Sequence, residues 1–521
     1  MSLTKSFRGP WAAVAVCSVV FGVLSYLHPY WLDTMWFTAD YHGICEEEGS
    51  ASLHAFLTYF RYESSTDNAR IFNRLAPLIF DYLPKWADAA GVGFMTGLLY
   101  WSLGRLIGLG RGDGVLWWGL LAMMFICLPW SNNIFVPVYS LNYIYPAACS
   151  LLAVYLSLQR SALGIAGAFV LAVAGAWGHE GIGGLLMAGA VPMMLTVKKY
   201  GRYKWLYGVS VAATATGAAA FFCTHLVLRL GHELARAWMC ADTLRWLMFN
   251  FFTVALVLLC AACACRRIWR QRLVDLVGRR PEVVYFFFLA VAGAVLSGMM
   301  HRSYRITLWP QLCSMVVWGI VLLVAMRRYK KILRRVIWCV ALLCAVLFCG
   351  EVYVGIQYNR TVSDAYKQFD NSACNTAYVK FLHPRKYPAW ITRFAPRYIF
   401  LDYSKDHYLS MYLGRKVSIV PEELRGVDTS IPVDSIVMQR DGVGYFRPSQ
   451  ETEIRYNIYG DVATPNGVHH TEPIALINFS GDDGTPLVWV QPLDIVPEEV
   501  LEVDADVSVI YKDNDFRDDD R

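Results

Sequence analysis

The chain has 521 residues, of which 56% are hydrophobic and only 17% charged, too apolar a balance for a soluble protein of this length. Uncharged runs repeatedly approach the ~20 residues that a membrane-spanning helix needs. The formal charge of +5 does not point to nucleic acid, because the basic residues sit in short clusters between apolar runs, where membrane topology explains them.

In chain order the candidate spans are 11–27, 86–108, 114–130, 141–158, 162–178, 181–197, 205–227, 246–265, 282–300, 306–326 and 336–356, eleven in all. Lys5 and Arg8 before the first run could mark a secretory signal, but SYLHPYWLDTMW follows without a small-x-small cleavage pattern, so a retained anchor is expected. With the N-terminus inside, the inside segments hold 21 Lys and Arg and the outside segments nine. That asymmetry obeys the positive-inside rule. An odd number of spans leaves everything after Ile356 outside. The expected fold class is an all-α polytopic membrane domain over residues 1–356, with a first outside loop at 28–85. A strand-rich extracytoplasmic domain, α+β or β, follows over 357–521. There apolar runs shorten to strand length (YIFLDY, VSIV, EIRYNIYG, ALINF, LVWVQ, VSVIY) and end in the acidic tail DNDFRDDDR.

The polar residues fall mostly on the outer side of this topology. Asp33, Asp40 and His42 follow the first span; TDNARIFNR carries Asn68, Arg70, Asn73 and Arg74; GHEG places His179 and Glu180 in a tight hairpin between the fifth and sixth spans; HRSYR carries His301, Arg302 and Arg305. His225, Arg229, His232 and Glu233 lie near the outer end of the seventh span. Arginines suit phosphate, and a carboxylate suits a general base. Each residue also has a plainer reading. Asp33 and Asp40 could be solvated loop acids, and residues 68–83 an interfacial helix whose arginines meet headgroups. Arg302 and Arg305 could be interface anchors, and His179 and Glu180 a wetted turn. The acids at 46–48 read as a solvated loop. Of fourteen cysteines, only Cys45, Cys240 and Cys374 face outward, an odd number that rules out a fully paired set. No Walker loop, dinucleotide fingerprint, HExxH or nucleophile elbow is present, so ATP-driven transport by this chain alone is unsupported.

Taken together, ADYHG (39–43), NAR (68–70), YSLNYIYP (139–146), HEG (179–181) and HRSYR (301–305) give residues 11–356 a resemblance. The segment resembles a family of uncharacterised bacterial polytopic membrane proteins related to the serotype-converting glucosyltransferases of the GT-C type. The resemblance implies a GT-C-like fold and outside-facing chemistry on a polyprenyl-phosphate sugar donor lying in the membrane lipid, with an envelope glycan or other acceptor. Asp40 matches the first-loop acid, Asn68 and Arg70 the NGR-like motif, Glu180 the hairpin acid and Arg305 the late-loop arginine. Asp40 and Glu180 are then the catalytic candidates; Asp33, Asn68, Arg70, His179, Arg302 and Arg305 are the substrate-binding ones. Two positions depart from the pattern: Ala39 stands where a paired acid is usual, which leaves Asp33 as the nearby second acid, and Ala69 replaces a glycine. The cofactor stays open, a divalent metal included. The rival readings are a transporter or flippase of lipid-linked or envelope precursors, which would place its groups near the midplane, and a non-catalytic envelope-assembly protein. The expected location is the cytoplasmic (inner) membrane.

Overall fold

The computed structural model describes residues 10–28, 33–65, 70–128, 130, 137–159, 161–179, 181, 182, 186, 189, 192, 250–280, 282–299, 307–380, 409–439, 444–449, 458–481, 483–492, 495 and 499–505. The chain divides into two compact units, Met1–Tyr26 with Asp40–Cys349, and Leu27–Ala39 with Gly350–Arg521.

The first unit is helical. Helix α1 (Pro10–Leu27) carries no charge and buries Ala13, Cys17, Phe21 and Leu24, a stripe at helical spacing. The segment expected as an outside loop is built of helices: α2 (Asp33–Glu47), α3 (Leu53–Ser65), a 3-10 turn (Asn73–Leu75) and α4 (Ala76–Tyr82). Helix α5 (Lys85–Ile107) meets α1 through glycine, since a Cβ on Gly93 would lie 2.4 Å from the Ser18 carbonyl oxygen. Small residues let two backbones approach this closely. After α6 (Gly114–Cys127), the chain passes through a short helix (Pro137–Tyr139) and a π-helical turn (Ser140–Ile144) into α7 (Tyr145–Ser157). Helix α8 (Ala162–Gly178) folds back on α7; the Ser161 hydroxyl caps its start by accepting from the Gly164 N–H at 3.0 Å.

Helix α9 (Phe251–Cys265) is followed by α10 (Arg267–Arg279) at a bend of 119°, and then by α11 (Glu282–Met299) and α12 (Leu308–Phe369). Arg280 fixes the end of α10: its Nη2 donates at 2.8 Å to the Leu106 carbonyl at the C-terminus of α5, and its Nε pairs with Glu282.

Among the described residues, membrane-spanning elements are fewer than expected. Among the described residues, two helices are long and apolar enough to cross a membrane, Pro10–Leu27 and Lys331–Phe369, or three if the bent pair α9 and α10 is one span. Among the described residues the expected count of eleven is not reached. Part of the reason is length: a 14-residue helix such as α6 rises about 21 Å, short of a hydrocarbon core of ~30 Å. The candidate span at 205–227 lies outside the described residues, as does most of that at 181–197. A second correction concerns 306–326 and 336–356, which are not two spans joined by a basic turn but parts of the single 62-residue α12. No Gly or Pro occurs from 321 to 349, and Arg, Lys, Leu and Ile in RRYKKILRR are good or fair helix formers. The two runs are therefore not an antiparallel pair, and the alternation that placed everything after Ile356 outside loses its last step.

In the second unit, β1 (Thr376–Val379) and β2 (Ser418–Pro421) pair in parallel. Strands β3 (Val437–Met438), β4 (Gly444–Phe446), β5 (Ile458–Thr464), β6 (Gly467–Ser480), β7 (Pro486–Pro492) and β8 (Glu502–Ala505) form an antiparallel sheet in the order 3-4-7-6-5-8. Strand β7 is buried on both faces: Leu487 and Trp489 join a core with Tyr378 and Tyr445, while Val488 and Val490 join another with Phe446 and Val462. The β5–β6 hairpin turns through Pro465-Asn466-Gly467, where Gly467 holds φ at +127°. VSIV, ALINF and LVWVQ fall on strands as expected; YIFLDY and VSVIY lie outside the described residues. The Arg415 guanidinium donates to the Phe369 carbonyl at 2.7 Å, a cation at the C-terminus of α12.

Candidate functional site

Helix α3 shows how the candidate site is built. Ala55, Tyr59 and Glu63, four residues apart, form its buried stripe. Glu63 therefore occupies a core position and is only 2% exposed. A carboxylate there needs a counter-charge or polar partners. Arg74 supplies positive charge: it is 1% exposed, with its guanidinium 4.1 Å above the Phe60 ring and 5.7 Å from that of Trp177.

Asp40, on α2, completes the charged set. Burial pushes its carboxyl up from 3.8 to about 6. Burial also pushes the Tyr59 hydroxyl well up; the charges of Glu63 and Asp40 act in the same sense and Arg74 opposes them. Tyr62 is raised by burial and then by Asp40 and Glu63. Arg74 is lowered by burial, with Glu63 and Tyr59 acting against that shift. Tyr59 thus feels Asp40, Glu63 and Arg74, Tyr62 feels Asp40 and Glu63, and Arg74 feels Glu63, so the two tyrosines link Asp40 to the buried pair. A further tie joins α2 to α4, where His42 Nε2 lies 2.7 Å from Asp81 Oδ2.

The same segment docks on the end of α8. The Ile71 N–H donates to the Trp177 carbonyl at 3.3 Å, and the Phe72 ring lies 5.8 Å from that of Tyr145. Gly178 permits this docking, because a Cβ there would lie 2.6 Å from Phe72 Cδ2 and 2.7 Å from Pro146 Cγ. The next residue, His179, leaves the helix in extended conformation and is 7% exposed. Its Nδ1 accepts from the Gly181 N–H at 3.2 Å, so in the neutral ring the proton sits on Nε2. Tyr143 of the π-helical turn lies 5.1 Å from this imidazole, ring to ring. The Tyr59 hydroxyl, Asn73 Oδ1 and Asn142 Oδ1 are buried without a hydrogen-bond partner among the described residues. Such atoms call for a ligand or water.

Of the residues expected at a site, Asp40 stands in the charged cluster and His179 at the end of α8 beside the docked 71–75 segment. Arg70 immediately precedes that segment and is half-buried; Arg74, four residues on in the 3-10 turn, is the arginine linked to Glu63. Asp33 opens α2 seven residues before Asp40, and Glu63 is a further acid whose charge reaches Tyr59 and Tyr62 together with that of Asp40. Asn68, Glu180, Arg302 and Arg305 lie outside the described residues. Glu63 escapes a motif-based reading, although its signal is present: counted in fours from Ala55, it is a carboxylate in an apolar register. Glu48 at the end of the acidic run meets His54 at 3.4 Å on the surface. Cys45 and Cys374 are free thiols, and Cys240 lies outside the described residues. Among the described residues no three His, Cys, Asp or Glu side chains assemble around one point. The chain matches no protein-family model, and no curated protein matches it.

Proposed function

We propose that the cluster of Asp40, Glu63 and Arg74 is the centre of a GT-C-like polytopic membrane glycosyltransferase. In this reading the enzyme moves a sugar from a polyprenyl-phosphate donor to an envelope glycan or other acceptor at the outer face of the cytoplasmic membrane. The observation that carries the reading is a half-buried carboxyl whose proton affinity is raised by burial, linked through Tyr59 and Tyr62 to a buried acid and, through Tyr59, to a buried arginine. Asp40 takes the proton from the acceptor hydroxyl as the new bond to the sugar's anomeric carbon forms. The bond from that carbon to the phosphate oxygen breaks, and polyprenyl phosphate leaves. Arg74 neutralises the charge that grows on the phosphate, which a low-dielectric site rewards strongly. Glu63 holds Arg74 in place and balances it when no phosphate is bound. The His179 Nε2–H orients a sugar hydroxyl. Glu180 keeps the catalytic role, and Asp33, Asn68, Arg70, Arg302 and Arg305 the substrate-binding roles, that the family resemblance implies. A proton affinity near 6 suits a general base working close to neutrality.

The test is the envelope glycans of a strain whose only copy carries Asp40→Asn, compared by mass with those of the wild type and of a deletion strain. The reading predicts that Asp40→Asn and the deletion give the same loss of modification, with the variant protein still in the membrane. Glu63→Gln should reduce the modification in the same direction. Glycans identical to wild type in the Asp40→Asn strain, while the deletion strain differs, overturn it.

A further inference from the structure

The stretch RRIWRQRLVDLVGRR at 266–280 serves no purpose in the transfer chemistry, yet its helix has a higher density of basic residues than the longer α12. Helix α10 has six apolar residues among its thirteen, and none of its residues is buried. Trp269, Leu273, Leu276 and Val277 recur at the spacing of one helix face, while Arg267, Gln271, Asp275 and Arg279 take the opposite one. Ile268 is 65% exposed and Trp269 42%. Over 266–280 there are six arginines against one acid, Asp275. Arg267, Arg270 and Arg272 are exposed and have no carboxylate in ion-pair range among the described residues. Arg266 lies over the Trp269 ring, 5.5 Å from its centre.

What precedes the helix says what covers it. Helix α9 is uncharged over its whole length, and the 119° bend after Cys265 turns α10 steeply away from the α9 axis. An apolar helix entering a bilayer, followed at a sharp bend by an amphipathic arginine-rich one, has the geometry of a segment lying in the headgroup layer. Arg280 pins its far end to the C-terminus of α5 and to Glu282, so the helix cannot swing freely.

We infer that α10 is an interfacial helix that binds anionic phospholipid headgroups through Arg267, Arg270 and Arg272, with Trp269 at the level of the upper acyl chains. The partner is a lipid surface and not a protein, because Arg270 and Arg272 flank the apolar face on either side and Arg267 lies beyond it, a spread of cations that a uniform sheet of negative charge matches. Each arginine near such a surface contributes about 1 kcal/mol, roughly fivefold, so three together give about a hundredfold.

The test is amide hydrogen exchange over 266–279 in the full chain. The chain is held in nanodiscs of phosphatidylcholine alone or of phosphatidylcholine with about one third phosphatidylglycerol. Exchange should slow markedly in the anionic discs, approaching that hundredfold at low salt, and the difference should shrink as salt is raised. The triple variant R267Q/R270Q/R272Q should exchange alike in both discs, whereas R267K/R270K/R272K should keep most of the lipid dependence, which separates charge from folding. Equal exchange of the wild type in the two discs overturns the inference. So does protection that the Gln variant leaves intact, which would assign the helix to protein contacts.

Discussion

Asp40 and Glu63 are both acids in a helix-rich segment, and their environments push them toward different tasks. Asp40 is half-buried and binds its proton up to about pH 6, while Glu63 is buried in the register of Ala55 and Tyr59 and in the field of Arg74. The pH consequences of Asp40 have opposite signs for activity and stability. A general base must be ionised, so kcat/KM should fall as pH drops through about 6. Asp40→Asn should remove that limb along with most of the rate. For stability, the folded affinity is raised above the ordinary 3.8. The stabilising contribution of the protonated form is therefore complete below that value and lost as pH rises through about 6. Thermal unfolding of the wild type and Asp40→Asn from pH 4 to 7 reads this: the difference between them should grow with pH in favour of the Asn variant. At this scale Asp40 and His179 were legible because each sits in a short polar motif flanked by apolar sequence. Glu63 was not, because YFRYESS looks like ordinary surface until its helical register is known.

At the scale of elements, the boundaries of α1, α8 and α11 could be read closely from apolar runs, since Gly, Pro and charge bracket them. Two features could not. The segment between the first two spans looked like a loop because its apolar content is diluted with Tyr, His and Glu; its helices have buried stripes only a few residues wide. The run 327–335 looked like a turn because six basic residues interrupt an apolar sequence, yet charge does not break a helix when the residues carrying it are good helix formers. The continuous α12 makes a firm demand on Lys331, an exposed residue in its middle. Proline there removes a backbone hydrogen bond and clashes with the preceding turn, at a cost of about 3 kcal/mol or more. Lys331→Pro should lower the unfolding temperature clearly, while Lys331→Ala should leave it unchanged. Equal stability of the two variants would mean that a turn interrupts the helix after all.

For the whole molecule, a helical unit holds the charged cluster, and a second unit pairs short strands around Tyr445 and Trp489. The strand-rich character of the second was evident from run length and turn residues, but its strand order was not, because a six-stranded order of 3-4-7-6-5-8 depends on which edges meet in three dimensions. The most direct test of the central claim uses the intact chain in nanodiscs, supplied with a panel of polyprenyl-phosphate sugars and envelope glycan acceptors. Mass spectrometry then measures free polyprenyl phosphate. The account predicts its release with at least one donor, and a fall of about 10²–10⁴-fold in Asp40→Asn, the usual cost of losing a general base. Release at the wild-type rate by Asp40→Asn, or no release from any donor by a folded wild-type protein, would contradict it.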